Sequence, residues 1–117
     1  MTKPVGYQHK LNDSIQCIDT WYIEDALSLI RFMQRRVALT GYKVTLSGEV
    51  LDEGFSNKCL ELVIVPKSES PDVDELWHCL MSLVNVVTHR ECNMLGYGTK
   101  LYATYQGKKI DVLVTRT

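Results

Sequence analysis

The sequence lacks long hydrophobic runs and an excess of charge of one sign. No stretch approaches the roughly 20 consecutive apolar residues that a membrane-spanning helix needs. Thirteen basic residues stand against fourteen acidic ones, so the net charge is -1, and no basic surplus indicates nucleic-acid or membrane binding. We therefore expect a cytoplasmic protein without membrane contact, and nucleic acid is not an expected partner.

The sequence also lacks closely spaced cysteines. Its four cysteines form no Cys-x-x-Cys pair and lie far apart, at Cys17, Cys59, Cys79 and Cys92. This spacing is typical of buried free thiols and gives no indication of a disulfide framework. With 117 residues, of which 45% are hydrophobic, the chain has the size and composition of one compact domain.

Two segments show the apolar period of an amphipathic helix. We predict Thr20 as the cap of the first, which ends at Gly41, and Ser70 as the cap of the second, with Pro71 in its first turn. The side chains predicted to face the core are Ile23, Leu27, Ile30, Met33 and Val37 in the first helix, and Val73, Leu76, Trp77, Leu80, Val84 and Val87 in the second.

Four segments have the composition of strands: residues 42–46, 59–66, 101–105 and 109–115. A tight turn at Gln106 and Gly107 joins the last two strands. Residues 1–19 show no clear period and are predicted to be an irregular arm, followed by a single domain over residues 20–117. The order of the elements predicts an α+β fold, in which a mixed β-sheet carries helices packed on one face.

Two acidic residues lie in the predicted strands with apolar residues on either side. Since alternate residues of a strand share a face, Glu61 lies with Cys59 on the face opposite its apolar neighbours, and Asp111 likewise faces away from Ile110 and Val112. A single acidic residue in a strand is most often only solvated. Two on neighbouring strands could converge beside the glycine turn at Gly48, whose free N–H groups are suited to phosphate.

The helix that ends in glycine, the stretch "VTLSGEVLDEGFSNKCLELVIVP" and the final "KIDVLVT" together resemble the nucleotidyltransferase superfamily of the polymerase-beta type, in its minimal form. That family has a strand, Gly-Ser or Gly-Gly, a short helical turn, Gly-x-Ser, Asp-x-Asp on a strand, and a third acid on a later strand. The likeness extends over residues 20–117 and implies a nucleotidyltransferase-like fold.

The resemblance implies a nucleotide-binding role for five positions. Gly48 corresponds to the first glycine, and Glu49 stands where the second Gly or Ser helps to hold the triphosphate. Gly54 and Ser56 match the Gly-x-Ser, and Lys58 matches a basic residue often found just before the first acid.

The resemblance also implies the positions of the catalytic and metal-binding acids. Cys59 stands in place of the first aspartate, Glu61 in place of the second, and Asp111 corresponds to the third acid. In the family these carboxylates hold two magnesium ions, which align the triphosphate and the attacking hydroxyl. Here Glu61 and Asp111 are expected to hold at most one weakly bound magnesium or manganese ion, because a thiol is a poor ligand for magnesium.

Three departures from the family pattern, at Glu49, Cys59 and Glu61, favour a domain that has lost transfer activity and works by binding a nucleotide or a protein partner. One alternative is an active, atypical metal-dependent transferase that modifies a protein or RNA hydroxyl. A second is an unrelated small α+β interaction module, for which the strands that carry Glu61 and Asp111 would not be neighbours. A homodimer could form through the final strand if that strand has an exposed edge.

Overall fold

The structure is a computed structural model that describes residues 20–92 and 98–116. The predicted arm at residues 1–19 lies outside the described residues. The helices are α1 (Ile23–Val37), α2 (Gly48–Glu53) and α3 (Val73–Leu83), and a 3-10 turn (Ala38–Thr40) follows α1. The strands are β1 (Trp21–Tyr22), β2 (Tyr42–Ser47), β3 (Phe55–Ser56), β4 (Leu60–Pro66), β5 (Asn85–Cys92), β6 (Gly98–Tyr105) and β7 (Lys108–Thr115).

Five strands form a mixed sheet in the order β2-β4-β7-β6-β5. The central strands β4 and β7 are parallel, whereas the other neighbouring pairs are antiparallel. The short strands β1 and β3 form a separate antiparallel pair. The α+β prediction of a mixed sheet with helices packed on one face is confirmed. The final strand β7 lies between β4 and β6, so the condition for a homodimer through that strand, an exposed edge, is not met.

The first predicted helix is present, but its cap and its buried face differ from the prediction. Thr20 does not cap α1; its hydroxyl donates a hydrogen bond of 2.7 Å to Asn57 Oδ1, and the helix starts after Tyr22. The Ile23 N–H donates instead to the Gly54 carbonyl, at 2.9 Å. A tertiary hydrogen bond thus satisfies a backbone N–H at the start of α1 that a capping side chain would otherwise satisfy.

The core face of α1 consists of Ala26, Leu29, Met33 and Val37. Of the residues predicted to line it, Met33 and Val37 are buried, Ile23 and Ile30 are partly buried against the core, and Leu27 is exposed. The buried stripe is therefore rotated around the helix from the predicted one. Ala26 and Leu29 take the places in the buried stripe that the prediction gave to Leu27 and Ile30.

The second predicted helix is shorter than its apolar pattern suggests. Asp72, and not Ser70, is the cap: its Oδ1 accepts a hydrogen bond of 3.1 Å from the Glu75 N–H. The helix ends at Leu83, and the following residues form strand β5, which the sequence analysis missed. Residues 84–88 are four β-branched residues around an asparagine, a composition that favours a strand. The helical spacing of Val84 and Val87 was therefore coincidental, and Val87 is exposed.

Strands β4 and β7 follow the predicted alternation. Leu60, Leu62 and Ile64 are at most 1% exposed, and they pack with the inward residues of β7 and of the helices. The half-buried side chains of Glu61, Val63, Asp111 and Leu113 lie on the opposite side, which we call the open face. The turn between β6 and β7 is also confirmed: Gln106 and Gly107 both have positive φ angles, of 52° and 83°, as a two-residue hairpin turn requires.

Trp21, near the start of the described residues, contacts the hairpin formed by β6 and β7. Its indole Nε1–H donates a hydrogen bond of 2.9 Å to the Lys109 carbonyl. The Lys108 ammonium lies 4.2 Å from the centroid of the indole ring and donates to the Thr20 carbonyl at 3.3 Å. With only 2% of its surface exposed, Trp21 joins residues 88 positions apart into one core.

Within residues 20–92 and 98–116, none of the helices has the length and hydropathy to cross a membrane.

Replacing Leu62 by alanine should lower the free energy of unfolding by about 2–5 kcal/mol. The Leu62 side chain is 1% exposed, so its truncation leaves a cavity in the core. The adjacent Val63→Ala, on the half-buried open face, should cost about 1 kcal/mol or less. Urea denaturation monitored by tryptophan fluorescence measures both variants. Equal losses would contradict the assignment of the two faces of β4.

Candidate functional site

The two predicted acids lie side by side in the sheet. Strands β4 and β7 are parallel neighbours, and Glu61 is the register partner of Asp111. Both side chains are half-buried on the open face, away from the core residues between which they lie in sequence. The prediction that the two acids lie on adjacent strands and face the same side is confirmed.

The glycine turn lies directly against one of these acids. Gly48 begins helix α2 with a φ of +76°, a conformation that side-chain-bearing residues rarely adopt. A Cβ added to Gly48 would lie 2.5 Å from Glu61 Cδ and 2.6 Å from Glu61 Oε2. The absence of a side chain therefore lets the Glu61 carboxylate rest against the first residue of the turn.

Glu49 and Ser56 form a hydrogen-bonded pair beside this turn. The Ser56 hydroxyl donates to Glu49 Oε1 at 2.6 Å. Its oxygen in turn accepts hydrogen bonds from the Lys58 N–H at 3.1 Å and from the Cys59 N–H at 3.4 Å. Ser56 is 1% exposed, so its contacts organise the loop that leads into β4.

The remaining predicted nucleotide-binding residues have different surroundings. Gly54 ends α2 with a φ of +88°, and a Cβ added there would meet no atom within 4 Å. The left-handed backbone conformation therefore explains why a glycine stands at this position, and close packing does not. The Lys58 side chain is exposed in the short loop between β3 and β4, directly before Cys59.

Cys59 lies close to both acids and remains protonated at neutral pH. Burial, together with the negative charges of Asp111 and Glu61 and a hydrogen bond to Asp111, raises the pKa of its thiol to about 11. The nearby positive charge of Lys100 acts in the opposite direction. The Cys59 thiol is thus a neutral hydrogen-bond donor to Asp111.

This set of side chains does not fit a two-magnesium centre. Magnesium binds oxygen ligands in a demanding octahedral geometry, and a protonated thiol supplies no anionic ligand. Among the residues that the structure describes, no group of three or more His, Cys, Asp or Glu side chains could hold a metal ion. A single weakly bound ion between Glu61 and Asp111 remains a prediction.

Strand β6 brings further side chains to this region that the sequence analysis did not select. Tyr102 is the register partner of Asp111, and Lys100 lies two residues earlier on the same face. The Lys100 ammonium is 5.8 Å and the Arg90 guanidinium carbon 5.9 Å from the centroid of the Tyr102 ring. The alternation of "KLYATY" could have placed Lys100 and Tyr102 opposite the core, but not beside Asp111.

No family model and no curated protein matches this sequence. The chemistry of the candidate site is therefore inferred from its geometry alone. The site consists of two adjacent carboxylates, a protonated thiol, and a glycine turn that one carboxylate contacts.

The thiol of Cys59 should react slowly at neutral pH, with an apparent pKa near 11. Asp111→Asn removes a negative charge that favours the protonated form, so it should lower the pKa. Each pKa unit raises the thiolate fraction at pH 8 by about tenfold and the reaction rate by about three- to fourfold, because a less basic thiolate is a weaker nucleophile. The rate of reaction with a thiol-specific disulfide reagent measures this in a background where Cys17, Cys79 and Cys92 are replaced by serine.

The matched control is Asp74→Asn, which removes an exposed carboxylate on α3 that makes no contribution to the Cys59 pKa. A Cys59 pKa near the ordinary value of a free thiol, or one that Asp111→Asn leaves unchanged, would contradict the geometry described.

Proposed function

We propose that this chain is a nucleotidyltransferase-type domain that has lost transfer activity and works by binding a nucleotide or a protein partner. The observation that carries the proposal is that Glu61 and Asp111 are register partners on parallel strands, with a cysteine, Cys59, where the family has its first metal-binding carboxylate. Burial and the charges of the two acids raise the pKa of the Cys59 thiol to about 11, so it supplies no anionic ligand. This arrangement retains the geometry of the acids but not their capacity to hold two magnesium ions.

The frame of the proposed site supports the likeness to the family. The glycine turn at Gly48 follows strand β2 and opens the short helix α2, and the next long strand carries Glu61. The later strand that carries Asp111 pairs with it in register. An unrelated module would not require these two strands to be neighbours.

Electrostatics at the turn oppose triphosphate binding. The Glu61 carboxylate rests against Gly48, where the family would bring phosphate oxygens close to backbone N–H groups. Glu49 adds a second negative charge in the first turn of α2, although its side chain is engaged with Ser56. Two carboxylates at this point repel a polyanion, and the site lacks the ligands for the two metal ions that offset such repulsion in the family.

A ligand with less negative charge than a triphosphate fits the proposal better. The resemblance assigns nucleotide contacts to Gly48, Glu49, Gly54, Ser56 and Lys58, of which Lys58 contributes an exposed cation. Lys100 and Tyr102 add a second cation and an aromatic ring on the open face. A nucleoside or a nucleoside monophosphate would encounter less repulsion there than a triphosphate would.

The alternative, an active and atypical transferase, is favoured by one observation. Glu61 and Asp111 are adjacent in register on parallel strands, an arrangement in which two carboxylates could share one ion. Manganese tolerates a wider range of ligands than magnesium and would be the better candidate. Transfer would then depend on Asp111 as the base that accepts the proton of an attacking hydroxyl.

The wild-type chain should incorporate no label above background from a radiolabelled mixture of nucleoside triphosphates, with magnesium or manganese, into itself, other proteins or RNA. The triple variant Glu49→Ser, Cys59→Asp and Glu61→Asp should gain metal-dependent incorporation of at least about tenfold over background, because it restores the ligands on which two-metal transfer depends.

Adding Asp111→Ala to the triple variant is the matched control and should abolish the gained incorporation. Metal-dependent transfer by the wild type that disappears in Asp111→Ala alone would reject the loss of activity and establish the alternative.

If the ligand is a nucleotide, a nucleoside monophosphate at about ten times its dissociation constant should stabilise the fold by about 1.4 kcal/mol. That free energy corresponds to a rise in melting temperature of about 3–8 °C for a domain of this size. Thermal denaturation measures it, and Lys58→Ala should reduce the rise. Lys67→Ala is the matched control, since Lys67 is an exposed lysine that follows the far end of β4.

A further inference from the structure

We propose that the groove between helix α1 and strand β2 binds an extended, acidic segment of a partner protein, which adds as a strand beside β2. This surface lies at the start of β2, at the opposite end of the strand from the Gly48 turn. The inference goes beyond the proposed function, because it uses neither Glu61 nor Asp111 and does not depend on the nucleotidyltransferase likeness.

Strand β2 is an edge of the five-stranded sheet, and one side chain occupies part of that edge. The Val44 N–H donates to Gln34 Oε1 at 2.7 Å, and Gln34 Nε2 donates to the Tyr42 carbonyl at 3.4 Å. These two backbone groups therefore point away from β4, toward the position that a further strand would take.

The Gln34 amide imitates one residue of a parallel strand. In an antiparallel ladder, one residue exchanges both of its hydrogen bonds with a single residue opposite. Here a single amide bonds to the carbonyl of Tyr42 and to the N–H of Val44, two residues apart, as in a parallel ladder. A peptide that runs parallel to β2 could thus take over both hydrogen bonds from Gln34.

Most of the surface that lines the groove beside this edge is apolar. It has a volume of about 630 Å³, and Ile30, Ala38, Tyr42 and Val44 contribute to its lining. Leu39, in the 3-10 turn next to Ala38, is 88% exposed, the largest exposed fraction of any large apolar residue described. A segment lying along β2 would cover alternate apolar side chains in this groove, which is how a sheet edge recognises an added strand.

The charge around the groove determines the chemistry of the occupant. The charged residues in its lining are Arg31, Lys43 and Lys67, and all three are exposed. In the described part of the chain, none of the three has a carboxylate oxygen within 4 Å. Since the whole chain has a net charge of -1, this concentration of positive charge is local and complements an acidic segment.

The test selects peptides and does not assume their sequence. A phage-displayed library of random nine-residue peptides is selected on the immobilised full-length chain. Enriched peptides should combine acidic residues with alternating β-branched or aromatic residues. Bound to the isotope-labelled protein, they should shift the NMR amide signals of residues 42–46 and of the groove-facing side of α1, and not those around residues 59–61 and 109–113.

Charge reversal tests the electrostatic part of the proposal. The double variant Lys43→Glu and Lys67→Glu should weaken binding of a selected peptide by about tenfold or more, with the loss decreasing at high salt. Lys109→Glu reverses an exposed lysine on β7 and should leave the affinity unchanged. Circular dichroism of each variant checks that the fold is retained.

Gln34→Ala tests the addition of a strand. If the peptide replaces the Gln34 amide, removal of that competitor should strengthen binding by about two- to fivefold. A loss of affinity in Gln34→Ala would overturn strand addition, since the glutamine itself would then be a contact.

Four results would overturn the proposal as a whole: no enriched peptide, peptides without an acidic bias, NMR shifts centred on Glu61 and Asp111, or an affinity that the double reversal leaves unchanged. Concentration-dependent dimerisation that Lys43→Glu and Lys67→Glu abolish would identify a second copy as the occupant instead. Binding of a single-stranded oligonucleotide in competition with the selected peptide would identify nucleic acid.

Discussion

The parallel pairing of β4 with β7 places Glu61 beside Asp111, and the character of the site depends on that pairing. Two carboxylates held on adjacent strands repel each other, and a metal ion is one means of offsetting the repulsion. In this chain the neighbours include a neutral thiol that donates to Asp111 and a lysine ammonium from β6. The two carboxylates therefore lie beside a neutral donor and a cation of the same chain.

Sequence patterns predicted the elements whose signal is local. The alternation in β4 identified which residues face the core, and the Gln106–Gly107 turn required only two residues with positive φ. Strand β5 was missed because Val84 and Val87 fit a helical spacing, although the run of β-branched residues favoured a strand. The cap of α1 could not be predicted, since its first N–H bonds to Gly54, which lies 31 positions later in the chain.

The candidate site was predictable to a similar extent. Strand alternation gives the face on which Glu61 and Asp111 lie, but the sequence does not order the strands of a sheet, so their adjacency rested on a family likeness. The raised pKa of Cys59 depends first on burial and then on the charges of Asp111 and Glu61, and both the burial and the nearness of Asp111 on β7 arise from parts of the chain remote in sequence. The hydrogen bond from Ser56 to Glu49 also cannot be predicted from a sequence motif. The motif gives only the position of Glu49 in the turn and not the partner of its side chain.

The position of β7 has a consequence for how the chain folds. This strand occupies the centre of the sheet, yet it follows every other described strand in sequence. During synthesis, β2 and β4 can pair with each other, and so can β5 and β6, but these two halves have no shared strand until β7 leaves the ribosome. The insertion of β7 also brings the Lys109 carbonyl within hydrogen-bond distance of the Trp21 indole. One late strand therefore completes the sheet and fixes Trp21 in the core. Until then, the inner edges of β4 and β6 are unpaired, and a truncation that removes β7 would leave two open half-sheets prone to aggregation.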